Sequence, residues 1–500
     1  MALIQVQNLT FAYDGSYDNI FEDVTFRIDT DWKLGLVGRN GRGKTTFLNL
    51  LQGKMEYRGT ITAPVEFTYF PFPVQDPQAM TLDILEEADP LCEQWQLCRE
   101  LNLMEADCGI LYRPFDTLSN GERTKAMLAL LFSRENQFLL IDEPTNHLDW
   151  ESRKTLMEYL NRKKGFLLVS HDRMFLDGCV DHIMAINRQD ITVTKGNFSI
   201  WMENKERQDA MEAARNDQLK KEIGKLREAA RRAEGWSHQA EKMKVGSARP
   251  DHGDVDRGYI GHKAAKVMKR AKGIADRAGE AAREKEGLLK NVETAETLKL
   301  FPLTHRKEVL ASLEDVEIRY GEKIAVYGLS MKVVNGKRTA LAGPNGCGKS
   351  SVLKLILGEL SPSGGRMELA GGLVISYVPQ DTSSLSGTLE EFAKKSGLDE
   401  TLFKALLRKL DVSREQFAKK MEDFSEGQKK KVLIARSLCE QAHLYVWDEP
   451  LNYIDIFSRM QIEELIARWN PTMLLVEHDE YFLEKIGARE ILLKSGKQEP

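Results

Sequence analysis

The sequence predicts an α/β protein of two tandem phosphate-loop domains joined by a long antiparallel α-helical hairpin. Two observations predict it. A set of loop and strand motifs recurs after 305 to 307 residues, and between the copies runs a polar stretch whose apolar residues alternate by four and three. Five hundred residues suit about three domains, and the motifs place them at 1–200, 201–300 and 301–500. A hydrophobic share of 42% with 29% charged residues is ordinary for a globular chain. No run approaches 18 apolar residues and the first residues lack a basic-then-apolar leader, so no membrane span or membrane partner is expected. The cysteines at 92, 98, 108, 179, 347 and 439 form no CxxC pair, which suits a reducing compartment and excludes a disulfide scaffold or a cysteine zinc site. Cys347 sits inside a phosphate loop, where it reads as a tolerated small residue.

In the first half the apolar run Leu34-Gly35-Leu36-Val37 leads into Gly38-Arg39-Asn40-Gly41-Arg42-Gly43-Lys44-Thr45, with Thr46 next. This is a G-x-x-x-x-G-K-[ST] loop between a strand and a helix, the context the motif needs. Its glycines turn successive amides toward a phosphate, Lys44 reaches the β and γ oxygens, and Thr45 ligates Mg²⁺. Phe138-Leu139-Leu140-Ile141 then ends in Asp142, expected to hold the metal, and Glu143, expected to polarise an attacking water.

The second half answers in the same order. Gly343-Pro344-Asn345-Gly346-Cys347-Gly348-Lys349-Ser350, followed by Ser351, repeats the loop, and Leu444-Tyr445-Val446-Trp447 ends in Asp448 and Glu449. Five pairs hold the register: Gly38 with Gly343, Gln75 with Gln380, Ser119 with Ser425, Asp142 with Asp448 and His171 with His478. Tyr13 and Tyr320, upstream of each loop, suit stacking on adenine, although a core tyrosine reads the same way. Ser119-Asn120-Gly121 and Ser425-Glu426-Gly427 each open a helical stretch, whose amides and hydroxyl suit a phosphate from elsewhere. Each histidine follows an apolar strand, where it meets a γ-phosphate or serves the core.

The middle stretch carries Leu219, Ile223, Leu226, Ala230, Ala233 and Ala240 on one seam, and Ile260, Ala264, Val267, Ala271, Ile274, Ala278, Ala281, Leu288, Val292 and Ala295 on a second. Between them Gly246, Pro250 and Gly253 cannot continue a helix and read as a turn. Arms of about 40 residues extend roughly 60 Å. Residues 219–272 hold 15 Lys and Arg against 7 Asp and Glu, while the whole chain is −5. A narrow basic element suits a polyphosphate surface such as RNA, and a solvated spacer is the bland alternative. The glycines at 224, 235, 273, 279 and 287 cost about 1 kcal/mol each relative to alanine, which favours arms stiffened by a partner.

Together the motifs resemble the ATP-binding cassette (ABC) family: Walker A at 38–45 and 343–350, Q-loop glutamines 75 and 380, signatures at 118–122 and 424–428, Walker B at 138–143 and 444–449, D-loop aspartates 149 and 455, and switch histidines 171 and 478. Two such cassettes on one chain, joined by a charged linker, resemble the ABC-F subfamily of ribosome-associated ATPases, and within it the antibiotic-resistance branch of Lsa type. The resemblance implies a monomer with its two ABC-type domains paired head to tail, ATP and Mg²⁺ as ligands, and metal contacts from Thr45, Gln75, Asp142, Ser350, Gln380 and Asp448. It implies Glu143, Glu449, His171 and His478 as the catalytic set. The implied partner is the 70S ribosome, with 23S rRNA and P-site tRNA met by Lys242, Met243, Lys244, Val245, Lys263, Lys266, Lys269 and Arg270. A housekeeping ABC-F translation factor and an ABC transporter subunit are the alternatives. Asn120 and Glu122 depart from the common Gly and Gln of the signature, Glu426 replaces its Gly in the second half, and Leu451 and Tyr453 occupy the positions of Thr145 and His147 in the first half, so the two sites are expected to be unequal.

Overall fold

In the computed structural model the described residues are 2–13, 19–134, 136–146, 148–187, 190–245, 265–266, 269–274, 276–281, 283, 298–321, 323–344 and 346–493. They form two compact units, one of Met1–Trp201 with Ala295–Pro500 and one of Met202–Thr294.

In the first unit each half of the chain builds the same pair of sheets. β1 (Leu3–Phe11), β2 (Phe21–Asp29) and β4 (Arg58–Thr62) form an antiparallel sheet in the order β2-β1-β4. β3 (Lys33–Val37), β5 (Glu66–Phe70), β6 (Gln137–Asp142), β7 (Phe166–Val169), β8 (His182–Ile186) and β9 (Ile191–Lys195) form a sheet in the order β5-β6-β7-β3-β8-β9, parallel except for β9. The unbroken apolar runs of β6, β7 and β8 are what a sheet covered on both faces requires. In the second half β10 (Val309–Tyr320), β11 (Lys323–Val334) and β13 (Gly364–Leu369) take the order β11-β10-β13. β12 (Arg338–Ala342), β14 (Ile375–Val378), β15 (Leu444–Asp448), β16 (Met473–Val476) and β17 (Arg489–Leu492) take the order β14-β15-β16-β12-β17. The duplication read from motif spacing is therefore a duplication of topology.

Each phosphate-loop helix, Lys44–Leu51 and Lys349–Ile356, lies between the two sheets of its half. Phe47 and Leu48 pack with Ile4, Phe21 and Leu140, as Val352 and Leu353 do with Leu313, Val446 and Leu474. On the other sheet face of the second half, the helix Glu426–Cys439 buries Val432, Leu433 and Ile434 against Trp447 and Leu475, and Leu298 and Leu300 join that core. The loops after β3, β6 and β7, and after β12, β15 and β16, leave the carboxyl ends of neighbouring strands, where open α/β sheets hold ligands.

The helix Phe198–Val245, which belongs to the second unit from Met202 onward, is 48 residues long, about 72 Å at 1.5 Å per residue. Ala, Glu, Lys, Arg, Gln and Leu dominate it, and i,i+4 pairs such as Glu228 with Arg232 at 2.7 Å brace its exposed face. Ile223 is buried and Leu219, Leu226 and Ala230 are half-buried, as is Glu222. On the later stretch 265–266, 269–274, 276–281 and 283 are helical, Ala271 is buried and Ala278 and Ala281 half-buried. Ile274, expected on the seam, is instead 38% exposed. The turn and Lys263 fall outside the described residues, as do the side chains of Lys242, Met243, Lys244 and Val245. Lys266, Lys269 and Arg270 are exposed.

Candidate active site

Both phosphate loops close on a glycine in the left-handed region, Gly43 at φ 92° and Gly348 at φ 98°, which caps the following helix. A Cβ there would lie 2.7 Å from Ile20 or 2.4 Å from Val326, so no larger residue fits. Gly41 and Gly346, both at φ 80°, have open space in front of them. Lys44 Nζ donates to the Gly38 carbonyl at 2.7 Å and to Asn40 Oδ1 at 3.2 Å, and Lys349 Nζ donates to Gly343 at 2.8 Å and Pro344 at 3.0 Å. Burial lowers the pKa of Lys44, with Asp455 and Glu143 opposing. Tyr13 and Tyr320 are half-exposed, not core residues. Their hydroxyls reach Thr46 Oγ1 at 2.7 Å and Ser351 Oγ at 3.2 Å, which sets both rings over the start of a phosphate-loop helix. Asn345 lies outside the described residues.

The acids stand at the strand ends as expected, but the two sites differ. Asp142 accepts from Tyr69 at 2.9 Å, and Asp448 is hydrogen-bonded to Ser350. Glu143 has His171 Nε2 3.2 Å away, out of hydrogen-bond alignment. Burial, and then Asp142, push the Glu143 carboxyl up to about 8, while burial holds His171 well below its usual range. In the second site Gln380 Nε2 and Asn452 Nδ2 both donate to Glu449 Oε2 at 2.7 Å, and burial pulls His478 down to about 4. Gln75 makes no such contact. Phe70 pairs with Ile141 and Val378 with Trp447, so the strand register equates Phe72, rather than Gln75, with Gln380. This corrects the pairing read from the sequence: Phe72-Pro73 prolongs the chain before the glutamine, which is left exposed.

Residues from both halves meet at each loop. Asn40 Nδ2 donates to the Tyr453 carbonyl at 3.1 Å, beside Gly427 at the opening of the helix Glu426–Cys439. Arg39 pairs with Asp411 and sits over the Phe457 ring at 5.5 Å, and Trp201 meets the same ring at 6.3 Å. Around the other loop a cavity of about 620 Å³ is lined by Tyr320, Gly346, Lys349, Ser350, Gln380, Glu449 and His478, and by Asn120, Leu148 and Arg153 of the first half. Ser119 and Ser425 each open their helix with a reciprocal cap, Ser119 Oγ accepting from the Glu122 amide at 3.2 Å while the Glu122 carboxylate accepts from the Ser119 amide at 2.7 Å. That cap explains why glutamate serves as well as glutamine at 122. Buried atoms without a hydrogen-bond partner in the described residues include Glu143 Oε1, Asp448 Oδ1 and His478 Nε2. Such atoms are costly, and here all three face the loops, as a polyphosphate and metal would require.

A family model described as ABC transporter matches residues 21–146 and 326–452. The chain belongs to the ABC transporter family. Its two cassettes make it an ATP-hydrolysing enzyme. Ribosome protection protein VmlR of Bacillus subtilis (strain 168) is 27% identical over 502 residues, which cover 97% of this chain and 86% of that one. ATP-binding protein Uup of Caulobacter vibrioides is 29% identical over 492 residues, 95% of this chain and 74% of that one. These relatives place the protein with the ABC-F-type cassettes. The solved structure titled RNase-L Inhibitor superposes with a TM-score of 0.60 at 19% identity, covering 97% of this chain and 87% of that one, a likeness of fold. No helix among the described residues is long and apolar enough to cross a membrane.

Sequence reading named the D-loop aspartate 455 but not the buried lysine that holds it within the second cassette. Lys431 donates to Asp455 at 2.7 Å, the two side chains being 2% and 0% exposed. Burial alone would raise the Asp455 carboxyl, but Lys431 and Lys44 outweigh it and hold it well below the carboxylate range. Asp455→Asn withdraws one partner of a buried pair and is expected to destabilise the protein by about 3 kcal/mol at neutral pH. Since the folded pKa is depressed, this contribution is present above the unfolded value and fades as pH falls through the folded one. Urea unfolding of both proteins at neutral and acidic pH checks it.

Proposed function

We propose that this protein is a cytoplasmic, ribosome-binding ABC-F ATPase of the Lsa-like antibiotic-resistance branch. In the ATP-bound state it enters the ribosomal E site, and the tip of its hairpin linker, 201–300, perturbs P-site tRNA and the peptidyl-transferase centre. It thereby protects against lincosamides, pleuromutilins and streptogramin A. Supporting this reading most directly is the 27% identity to a protein named for ribosome protection over 97% of the chain. The basic balance of 219–272 within an acidic chain agrees with an RNA partner.

The two composite sites suit ATP held head to tail. Gly38 to Thr46 would face Ser425 and Gly427, and Gly343 to Ser351 would face Ser119 and Gly121, with Tyr13 and Tyr320 against adenine. Lys44 and Lys349 turn from loop carbonyls to the phosphates, and Glu449 accepts a proton from the attacking water as the terminal phosphoryl leaves ADP. Thr45, Asp142, Ser350, Asp448 and Gln380 would hold Mg²⁺, which supplies charge neutralisation of the transferring phosphoryl group. Two nucleotides bridging the cassettes keep them paired, and hydrolysis releases the pairing. The linker leaves the cassettes next to Trp201 and rejoins them near Leu300, so its ends answer to that pairing.

The test is growth in lincomycin of a sensitive bacterium expressing the wild-type protein or a triple Lys266→Glu, Lys269→Glu, Arg270→Glu variant. Protection by the wild type and its loss in the variant, at equal expression and equal ATPase activity, are expected. Protection that survives charge reversal, or no protection by the wild type, would refute the reading.

A further inference from the structure

The two composite sites differ most in how the glutamate after each Walker B strand is held. Gln380 and Asn452 grip Glu449 from one side, and the loop carrying Gln380 is itself fixed from beneath by Lys430. That lysine is 2% exposed. Its ammonium donates to the carbonyls of Pro379 at 2.7 Å, Gln380 at 3.0 Å and Asp448 at 3.3 Å. An ammonium has three protons, so this set uses its whole donor capacity. One cation thus ties the Q-loop to the end of the strand that carries Asp448 and Glu449.

The first cassette lacks both parts of this device. The offset of 306 between Ser119 and Ser425 puts Thr124 where Lys430 stands, and strand register puts Phe72 where Gln380 stands. A threonine cannot span three carbonyls, and Phe72 offers Glu143 no donor. Clamp and clamped glutamine are present together in one site and absent together from the other. A buried ammonium is also an expensive way to fill space: burial holds Lys430 down at about 8, with Asp448, Glu449, Glu477 and Glu426 facing it. An apolar side chain of similar volume would serve packing alone at lower cost.

We propose that Lys430 is a positioning residue for hydrolysis at the second composite site, holding the Q-loop so that Gln380 aligns Glu449 with the attacking water. The proposal rests on the reading of that site as ATP-hydrolysing. It makes the second site the faster of the two.

The test uses the full-length protein with Lys430→Thr, the residue of the first cassette, and Lys430→Met, which keeps the length and donates nothing. Steady-state ATPase assays give kcat and KM, a fluorescent ATP analogue gives affinity without turnover, and amide exchange is followed in the nucleotide-free protein. In both variants kcat should fall about tenfold, with nucleotide affinity within about threefold of wild type. Exchange across 379–383 should rise, with that of the helix Lys349–Ile356 unchanged. An unchanged kcat, or affinity lost in step with kcat, overturns the proposal. So does failure of both variants to fold, which would make Lys430 a core residue. A wild-type protein without ATPase activity would instead remove the reading on which the proposal rests.

Discussion

Alanine at position 427 should cost about a hundredfold in ATPase activity, the penalty of displacing reacting groups by about an ångström, while leaving each cassette folded. A Cβ on Gly427 would stand 2.4 Å from the Tyr453 carbonyl oxygen and 3.1 Å from Asn40 Nδ2. The nearer atom is backbone, and Asn40 Nδ2 ends a short side chain held by hydrogen bonds to the Tyr453 carbonyl and Lys44. Tyr453 is held at φ 63° beside the buried Asp455, and Asn40 belongs to the phosphate loop of the other cassette. The added methyl therefore pushes the D-loop segment off the first phosphate loop and breaks the 3.1 Å bond that joins the cassettes there. At Gly121 the same addition meets only Ser152 Oγ at 3.5 Å and Leu148 at 3.6 Å, ordinary contacts. Gly121→Ala should stay within about threefold of wild type. Equal losses in the two variants, with unfolding transitions unchanged, would mean that the geometry at Asn40 and Tyr453 does not govern pairing.

That contrast between two signature glycines was not legible in the sequence, where they occupy matching places. What was legible is local. Each phosphate loop is spelled by its glycines and lysine, each Walker B strand by four apolar residues before two acids, and each D-loop aspartate by its place before a helix. The sheets follow because these segments have only one way to bury continuous apolar runs. Long-range register was not legible. Gln75 follows a proline-rich strand end and seemed to answer Gln380, yet the β5–β6 ladder hands that position to Phe72. Lys430 and Lys431, given no role from the sequence, are buried because the helix Glu426–Cys439 turns that face toward β14, β15 and the D-loop. Arg153 and Arg459, not singled out from the sequence, sit buried against Asp172 at 3.3 Å and Asp479 at 3.1 Å. In each case the deciding partner lies many residues away, where periodicity carries no information.

In the proposed mechanism, nucleotide-driven pairing of the cassettes governs binding to the ribosome. Glu143→Gln with Glu449→Gln tests it most directly. Glutamine keeps the shape of each side chain, and its oxygen can still accept from Gln380 and Asn452 as Glu449 Oε2 does at 2.7 Å, but it cannot take a proton from water. Loss of a general base costs about 10² to 10⁴ in rate, so ATP should bind and persist with the cassettes paired. The measurement is cosedimentation of the double variant with 70S ribosomes. Retention with ATP, and release with ADP or without nucleotide, is the predicted result. Sedimentation that is absent with ATP, or the same with every nucleotide, would show that cassette pairing does not govern ribosome binding.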